Sequence, residues 1–269
     1  MAIIRQNTFE GGNDGDAITT GNSGGVSGDA FNYATAQGAT TFEATDPIRG
    51  VLSALMVLGS GDFNALGWDL PDVSVTAFRG YVTVSDATPA GNTRLFYGEN
   101  NGDPIFDVQL TTDGAIRIRD NGLTERYRTG AGIITPGEKF RVEARVDHSL
   151  TVGHLQLRVW TGTDVESPNP NDAEEVGSPT ADWDTGAVCD RFDLRVSNQS
   201  QTISIRYDEV AVDDADWIGP STVPVDIDLV PGVILGLGAP VGLDVVRRLV
   251  GRSIHYDFAN KAINIISGV

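Results

Sequence analysis

Lysine is nearly missing from this chain. Of 19 basic residues among 269, two are lysines, Lys139 and Lys261, and 37 acidic residues leave a formal net charge of −18. A phosphate backbone would be repelled over most of such a surface, so no nucleic acid partner is expected. Cysteine occurs once. Cys189 therefore excludes an internal disulfide and a thiolate zinc cluster, and its alternating apolar setting reads as a small buried hydrophobe. The longest apolar run, LVPGVILGLGAPVGL over residues 229–243, is broken by Pro231 and Pro240. It is too short for a bilayer of about 30 Å, so no membrane span is expected. The first ten residues hold an arginine and several polar side chains, with no apolar stretch of the length a secretion signal needs.

Catalytic signatures are missing too. A glycosidase on a β-sandwich needs two carboxyl groups on one strand face, typically as Glu-x-Asp-x-x-Glu or Glu-x-Asp-x-Glu, and neither pattern occurs. The pairs Asp14/Asp16, Asp182/Asp184, Asp214/Asp216 and Asp226/Asp228 contain no glutamate and read as solvated or capping pairs. His148, His154 and His255 do not have metal-ligand spacing, and no nucleophile elbow or phosphate loop appears. The expectation is a protein that is not an enzyme, with no catalytic residue and no cofactor. His148 and His154 flank a turn between strands and are expected to be exposed.

What is present is period-2 patterning. Residues 74–85, 93–99, 104–112, 115–120, 139–147, 153–162, 191–198 and 202–212 alternate apolar with polar side chains, as half-buried strands do. Turn residues stand between them at Asn101-Gly102-Asp103, Asp113-Gly114, Asn121-Gly122 and Thr135-Pro136-Gly137. With 32 glycines, 12 prolines and no amphipathic helix among these stretches, the chain reads as an all-β, antiparallel two-sheet jelly-roll sandwich.

The stretch YDEVAVDDADWIGP, residues 207–220, contains Asp208, Glu209, Asp213, Asp214 and Asp216. Ile203, Ile205 and Tyr207 are odd-numbered whereas Val210 and Val212 are even, so the buried face changes parity, which a β-bulge at Asp208-Glu209 would produce. The acids then read as solvated strand-end residues, with Trp217 and Ile218 covering the core edge before Pro220. Calcium held by Asp208 and Asp213 is the alternative.

Residues 161–185 form a long acidic loop with one aromatic, Trp183, between Asp182 and Asp184. This trio could be a sugar-stacking platform, or Trp183 could fold back and cap the sandwich. Trp68 and Trp160 carry the same ambiguity, with Trp160 at core or rim.

Charge divides the chain near Pro220. Residues 221–269 hold four acids and four bases, so the whole −18 lies in residues 1–220. The C-terminal segment is apolar and expected to be an assembly segment, through Val233, Ile234, Leu235, Leu237, Val246, Leu249 and Val250, against copies of itself or neighbouring proteins. Within it, residues 240–252 read as a brief helix and 253–267 as a hairpin with Phe258 to Lys261 near its tip.

The strand order, the opening NTFEGGNDGDAITTGNSGGVSGDAFN and the closing IRYDEVAVDDADWIGP resemble laminin-G-like, concanavalin-type jelly-roll domains common in actinobacteria and their bacteriophages. The resemblance spans residues 5–220. It implies that Phe9 to Gly12 lie in the first strand, that Thr19 to Gly25 follow in a long loop, and that Asp208 to Val212 form the final core strand. It also implies a carbohydrate- or protein-binding module. Together with the C-terminal segment, this predicts a non-catalytic phage virion protein, tail or particle surface, with host envelope glycan and other virion proteins as partners. A host-encoded carbohydrate-binding module is the alternative.

Overall fold

All eight alternating stretches are strands in the structure, a computed structural model that describes residues 3–148, 153–178, 187–197 and 200–221 and, as backbone, residues 246–249, 252–257 and 262–267. The chain divides into two compact units, Met1–Pro220 and Ser221–Val269. In the first, β1 is Ile3–Asn7, β2 Tyr33–Ala36, β3 Ala39–Glu43, β4 Ser53–Leu58, β5 Phe63–Val73, β6 Val75–Val84, β7 Thr93–Asn100 and β8 Asp103–Leu110. They are followed by β9 Ile116–Arg119, β10 Glu125–Arg128, β11 Phe140–Asp147, β12 His154–Thr161, β13 Glu174–Ser178, β14 Cys189–Ser197 and β15 Ile203–Asp213.

Local chemistry sets the hairpins. Asn101 and Gly102 have φ of 50° and 89°, as a type I′ turn requires, and pair Asn100 with Asp103 across a two-residue connection. The strands form two antiparallel sheets. One runs β13-β12-β11-β6-β15-β4-β3, with β1 also paired to β15; the other runs β10-β9-β8-β7-β14-β5-β2. Alternation then puts one apolar row of each sheet into the interior. Phe78 of the first sheet meets Phe96, Phe192 and Phe106 of the second at centroid distances of 4.9, 4.9 and 5.8 Å. Gly98 leaves room for this cluster: a Cβ there would stand 2.2 Å from the Phe106 ring. Trp68 belongs to the same interior, fully buried, with its ring 4.6 Å from that of Phe31.

The parity change in β15 is a bulge. Asp208 faces Tyr81 and Ala211 faces Arg79, so three steps along β15 match two along β6, and Glu209 absorbs the extra residue at φ 48°. The bulge also marks a change of partner: residues 203–207 pair with β4, residues 210–213 with β1. Three of the five acids in this stretch are not solvated, contrary to the sequence reading. Asp208, Glu209 and Asp213 are buried, whereas Asp214 and Asp216 are exposed. The reason is distant in sequence. Asp208 accepts from Arg49 N at 2.8 Å and Ser53 Oγ at 3.0 Å, where the connection from β3 enters β4. Burial raises its carboxyl well above the usual range.

Two further expectations are corrected. Phe9 to Gly12 lie outside the first strand; Phe9 sits in a turn at φ 60°, its N–H bonded to Asn7 Oδ1 at 2.9 Å. His148 is buried, with Nε2 2.8 Å from Thr76 Oγ1, because Phe106 and β6 enclose the end of β11. Burial pushes its pKa down to about 4.

In the second unit, β16 (Val246–Leu249), β17 (Arg252–Asp257) and β18 (Ala262–Ser267) form an antiparallel sheet in the order β16-β17-β18. The 253–267 hairpin is therefore present, with Asp257 opposite Ala262. The brief helix is not: Val246 to Leu249 are extended and paired with β17, and inter-strand hydrogen bonding overrides the helical spacing of their apolar residues.

Candidate functional site

The two sheets treat their outward-facing side chains differently. On the eight-stranded sheet, chain lies over them. Arg141 is fully buried, its Nη1 and Nη2 donating to the carbonyls of Val165 and Ser167 at 2.6 and 2.8 Å while its guanidinium stacks 3.8 Å from the Trp160 ring. Trp160 Nε1 donates to Asn169 O at 3.2 Å, which places this tryptophan under the 162–172 loop. The 214–220 segment covers the neighbouring patch. Gly219 N donates to Glu143 Oε2 at 3.1 Å, Arg79 Nη1 donates to Gly219 O at 3.0 Å, and Arg158 lies 3.9 Å from the Trp217 ring. Trp217 and Ile218 are thus half-buried on this outer face, away from the core edge where the sequence put them. Burial raises the Glu143 carboxyl and lowers Arg79, the expected result of taking both charges out of water.

On the seven-stranded sheet the outward side chains bond to one another. The strands β9, β8, β7 and β14 lie side by side, and each sets alternate residues outward: Arg117 and Arg119, Asp107 and Gln109, Tyr97 and Glu99, then Arg191, Asp193 and Arg195. Asp107 is fully buried and accepts from Arg94 Nε at 2.9 Å, Arg119 Nε at 2.7 Å, Gln109 Nε2 at 2.9 Å and also Arg119 Nη2. Gln109 Oε1 accepts from Arg117 Nη2 at 2.7 Å, and Arg117 Nη1 reaches Glu125 at 3.0 Å. In the other half, Arg191 Nε binds Asp193 at 3.0 Å and its Nη1 lies 3.3 Å from Glu99; Arg195 Nη2 pairs with both acids.

Aromatic rings join the halves. Arg94 and Arg195 stand 4.7 and 4.0 Å from the Tyr97 ring, and Arg191 stands 4.0 Å from that of Tyr33 on β2. Gly67 of β5 permits the close fit, since a Cβ there would meet Asp193 Oδ1 at 1.8 Å. Burial raises Tyr97 and, with Asp193 adding to it, Glu99; Asp107 holds the Arg119 guanidinium higher still. The result is a continuous polar and aromatic surface across four strands.

Sequence reasoning missed this surface because its members come from positions as far apart as 94, 107, 119 and 193. The available signal was the identity of the outward residues: Arg-x-Arg in β9 and Arg-x-Asp-x-Arg in β14, where a solvated strand usually carries small hydroxyls or lysine. Trp183, Asp182 and Asp184 lie outside the described residues, as do Val233, Ile234, Leu235, Leu237 and Val250; Val246 and Leu249 are placed as backbone in β16. On the carboxylates of the calcium alternative, Asp208 and Asp213, backbone donors engage some oxygens, while Asp213 Oδ2 is buried with no hydrogen-bond partner among the described residues. Asp208 Oδ1 accepts from Glu209 N at 2.8 Å, and Asp213 Oδ1 from Ala215 N and Asp216 N at 2.8 and 3.2 Å.

No protein-family model matches the chain, and no curated protein matches it by sequence. Solved structures match its fold. Botulinum neurotoxin type C, whose passage into cells depends on interaction with two ganglioside molecules, is similar with a TM-score of 0.53 at 6% identity, over 81% of this chain and 49% of that one. The chain thus spans about half of the toxin structure's length. The cellulose-induced protein Cip1 gives 0.49 at 12% identity over 80% of this chain and 99% of that one. The alginate lyase vAL-1 from Chlorella virus gives 0.49 at 10% identity over 79% and 100%. The first unit is an all-β, antiparallel two-sheet jelly-roll sandwich.

Proposed function

We propose that residues 1–220 form a non-catalytic glycan-binding domain whose contact surface is the outer face of the seven-stranded sheet. The observation that carries this is the lattice of Arg94, Arg117, Arg119, Arg191 and Arg195 with Tyr33 and Tyr97. It offers planar donors and ring faces at fixed positions, the groups that orient a sugar without a deep pocket. Rigid side chains lose little entropy when a ligand settles on them.

The carboxyl groups of the face argue against hydrolysis. Glycoside cleavage needs both of them in contact with the sugar. Asp107 and Asp193 are fully buried beneath arginines, and the Glu99 side chain is 9% exposed. Calorimetric titration of the full chain against oligosaccharides tests the reading: binding without turnover is expected, weakened about tenfold, or about 1.4 kcal/mol, by Tyr33→Ala. Failure to bind any glycan, or binding indifferent to Tyr33→Ala and Arg191→Gln alike, would overturn it.

A second reading concerns residues 221–269, and the abrupt loss of net charge at Pro220 favours it. This unit holds the sandwich to copies of itself or to neighbouring proteins of a phage particle, which makes the domain a virion surface or tail component; a host-encoded binding module would be a solitary monomer. Light scattering distinguishes the two. An oligomeric full chain and a folded monomer truncated after Pro220 are expected, and a monomeric full chain would remove the assembly role.

A further inference from the structure

We infer that the ligand of this face is an acidic polysaccharide, a chain bearing carboxylate or sulfate groups; this rests on the glycan-binding reading above. The first ground is layering. Four guanidiniums, those of Arg94, Arg119, Arg191 and Arg195, lie over three acids, Asp107, Glu99 and Asp193, and these arginine side chains keep 15–21% of their surface exposed while the acids keep 0–9%; Arg117 pairs instead with Glu125, which is 35% exposed. Over these three acids what reaches solvent is cationic, on a chain whose net charge is −18.

The second ground is the balance of donors and acceptors. A neutral sugar presents hydroxyls that donate as well as accept, so its site needs exposed acceptors. Over β8 and β7 they are hidden and occupied: Asp107 already takes bonds from Arg94, Arg119 and Gln109, and Gln109 Oε1 takes both from Arg117, whereas Glu125 on the edge strand β10 stays 35% exposed. Donors remain. Arg191 Nη2 and Arg195 Nε are buried in the lattice with no hydrogen-bond partner among the described residues. The arginine lattice thus holds more donors than acceptors, a balance that suits an anionic oxygen at its exposed edges.

The third ground is spacing. The arginine pairs of β9 and β14 are separated by three inter-strand steps, roughly 14 Å at about 4.8 Å per step. One small anion cannot bridge that distance. An extended chain with a charge on successive sugars can.

The test is titration of the full chain with four probes: oligogalacturonate, a sulfated glycosaminoglycan oligosaccharide, a neutral cello-oligosaccharide of equal length, and a single-stranded oligonucleotide. At least one acidic oligosaccharide is expected to bind tenfold or more tightly than the neutral probe and the oligonucleotide, and to weaken about tenfold in 0.5 M salt, where screening reaches within a few ångströms. Which one binds separates carboxylate from sulfate. Arg117→Gln and Arg195→Gln should each reduce that affinity about tenfold, and Arg206→Gln on the other sheet should leave it unchanged. Arg117 supports no buried acid, so its variant keeps the fold and the comparison stands even if Arg195→Gln is unstable. Binding of the neutral probe alone overturns this inference and leaves the glycan reading standing. Binding of no oligosaccharide overturns both. An oligonucleotide binding as tightly as the acidic oligosaccharides, or affinity insensitive to Arg117→Gln, overturns the inference.

Discussion

Arg141 on one sheet and Arg119 on the other both extend from central strands toward the outside of the sandwich, yet they do different work. Arg141 gives its terminal N–H groups to the carbonyls of Val165 and Ser167, and so fastens a loop over its sheet. Arg119 gives its own to Asp107 on the adjacent strand, and so fastens its sheet's surface to itself. The first arrangement seals a face; the second holds one in a fixed pattern. Buried charge is therefore a poor guide to function until its partners are known. Both arginines pair with a carboxylate of their own face, Arg141 with Glu143 and Arg119 with Asp107, and what sets Arg141 apart is the loop whose carbonyls it also binds.

The largest expected effect breaks the sealed face. Arg141→Ala leaves Glu143 buried beside one fewer cation and removes two donors from the 162–172 loop, so a loss of about 3–5 kcal/mol is expected in urea unfolding. Arg117→Gln on the other face should stay within about 0.5 kcal/mol. Equal losses would erase the distinction between the faces.

Next comes the core end beneath both faces, where His148 is held neutral. Its folded pKa of about 4 lies below the usual 6.5, so its contribution is fully present above pH 6.5 and is lost as pH falls toward 4. At about 1.4 kcal/mol per unit this amounts to roughly 3 kcal/mol. Asp208, Glu143 and Glu10, all raised chiefly by burial, act in the opposite sense, because their folded forms favour the proton. The quantity to measure is thus the difference between wild type and His148→Gln from pH 7 to 4. Wild type should lose ground steadily, and a constant difference would show that His148 can be charged in place.

The smallest effect sharpens the edge of the sealed face. Half-buried Trp217, stacked on Arg158, should lose about 1–2 kcal/mol on truncation to alanine, and exposed Asp214→Asn less than about 0.5. Both melts are to be repeated with a chelator. An unchanged wild-type midpoint is expected, since donors already hold both oxygens of Asp208 and Oδ1 of Asp213; a large drop, abolished by Asp213→Asn, would establish calcium there.

Much of the sandwich was legible because alternation is local. The eight predicted strands are present, and the parity change at Val210 located the bulge to the residue pair. The strands missed have local reasons as well. β5 contains Gly67 and Pro71, which read as interruptions; β4, Ser-Ala-Leu-Met-Val-Leu, has too few polar residues to show a period; β10 is four residues long and three of them are charged. The candidate face was not legible, since β14, at residues 189–197, inserts beside β7, at 93–100, and no local pattern announces that neighbour.

Strand periodicity, turn type and the bulge are properties of residues within a few positions of one another, and the change of net charge at Pro220 is a matter of composition, so all four are legible along the chain. Which charged residues are dry is settled by packing. Asp208, Asp213, Glu143 and Arg141 occupy outward positions of their strands, where period-2 reasoning gives them to solvent, and each is buried because chain from elsewhere lies over it or closes around it: residues 48–53 against Asp208, the 162–172 loop over Arg141, and the 214–220 segment against Glu143 and around Asp213. Exposure is set by what packs on top, and that depends on contacts beyond the reach of local periodicity, 24 positions apart for Arg141 and Val165, 76 for Glu143 and Gly219, and 159 for Arg49 and Asp208.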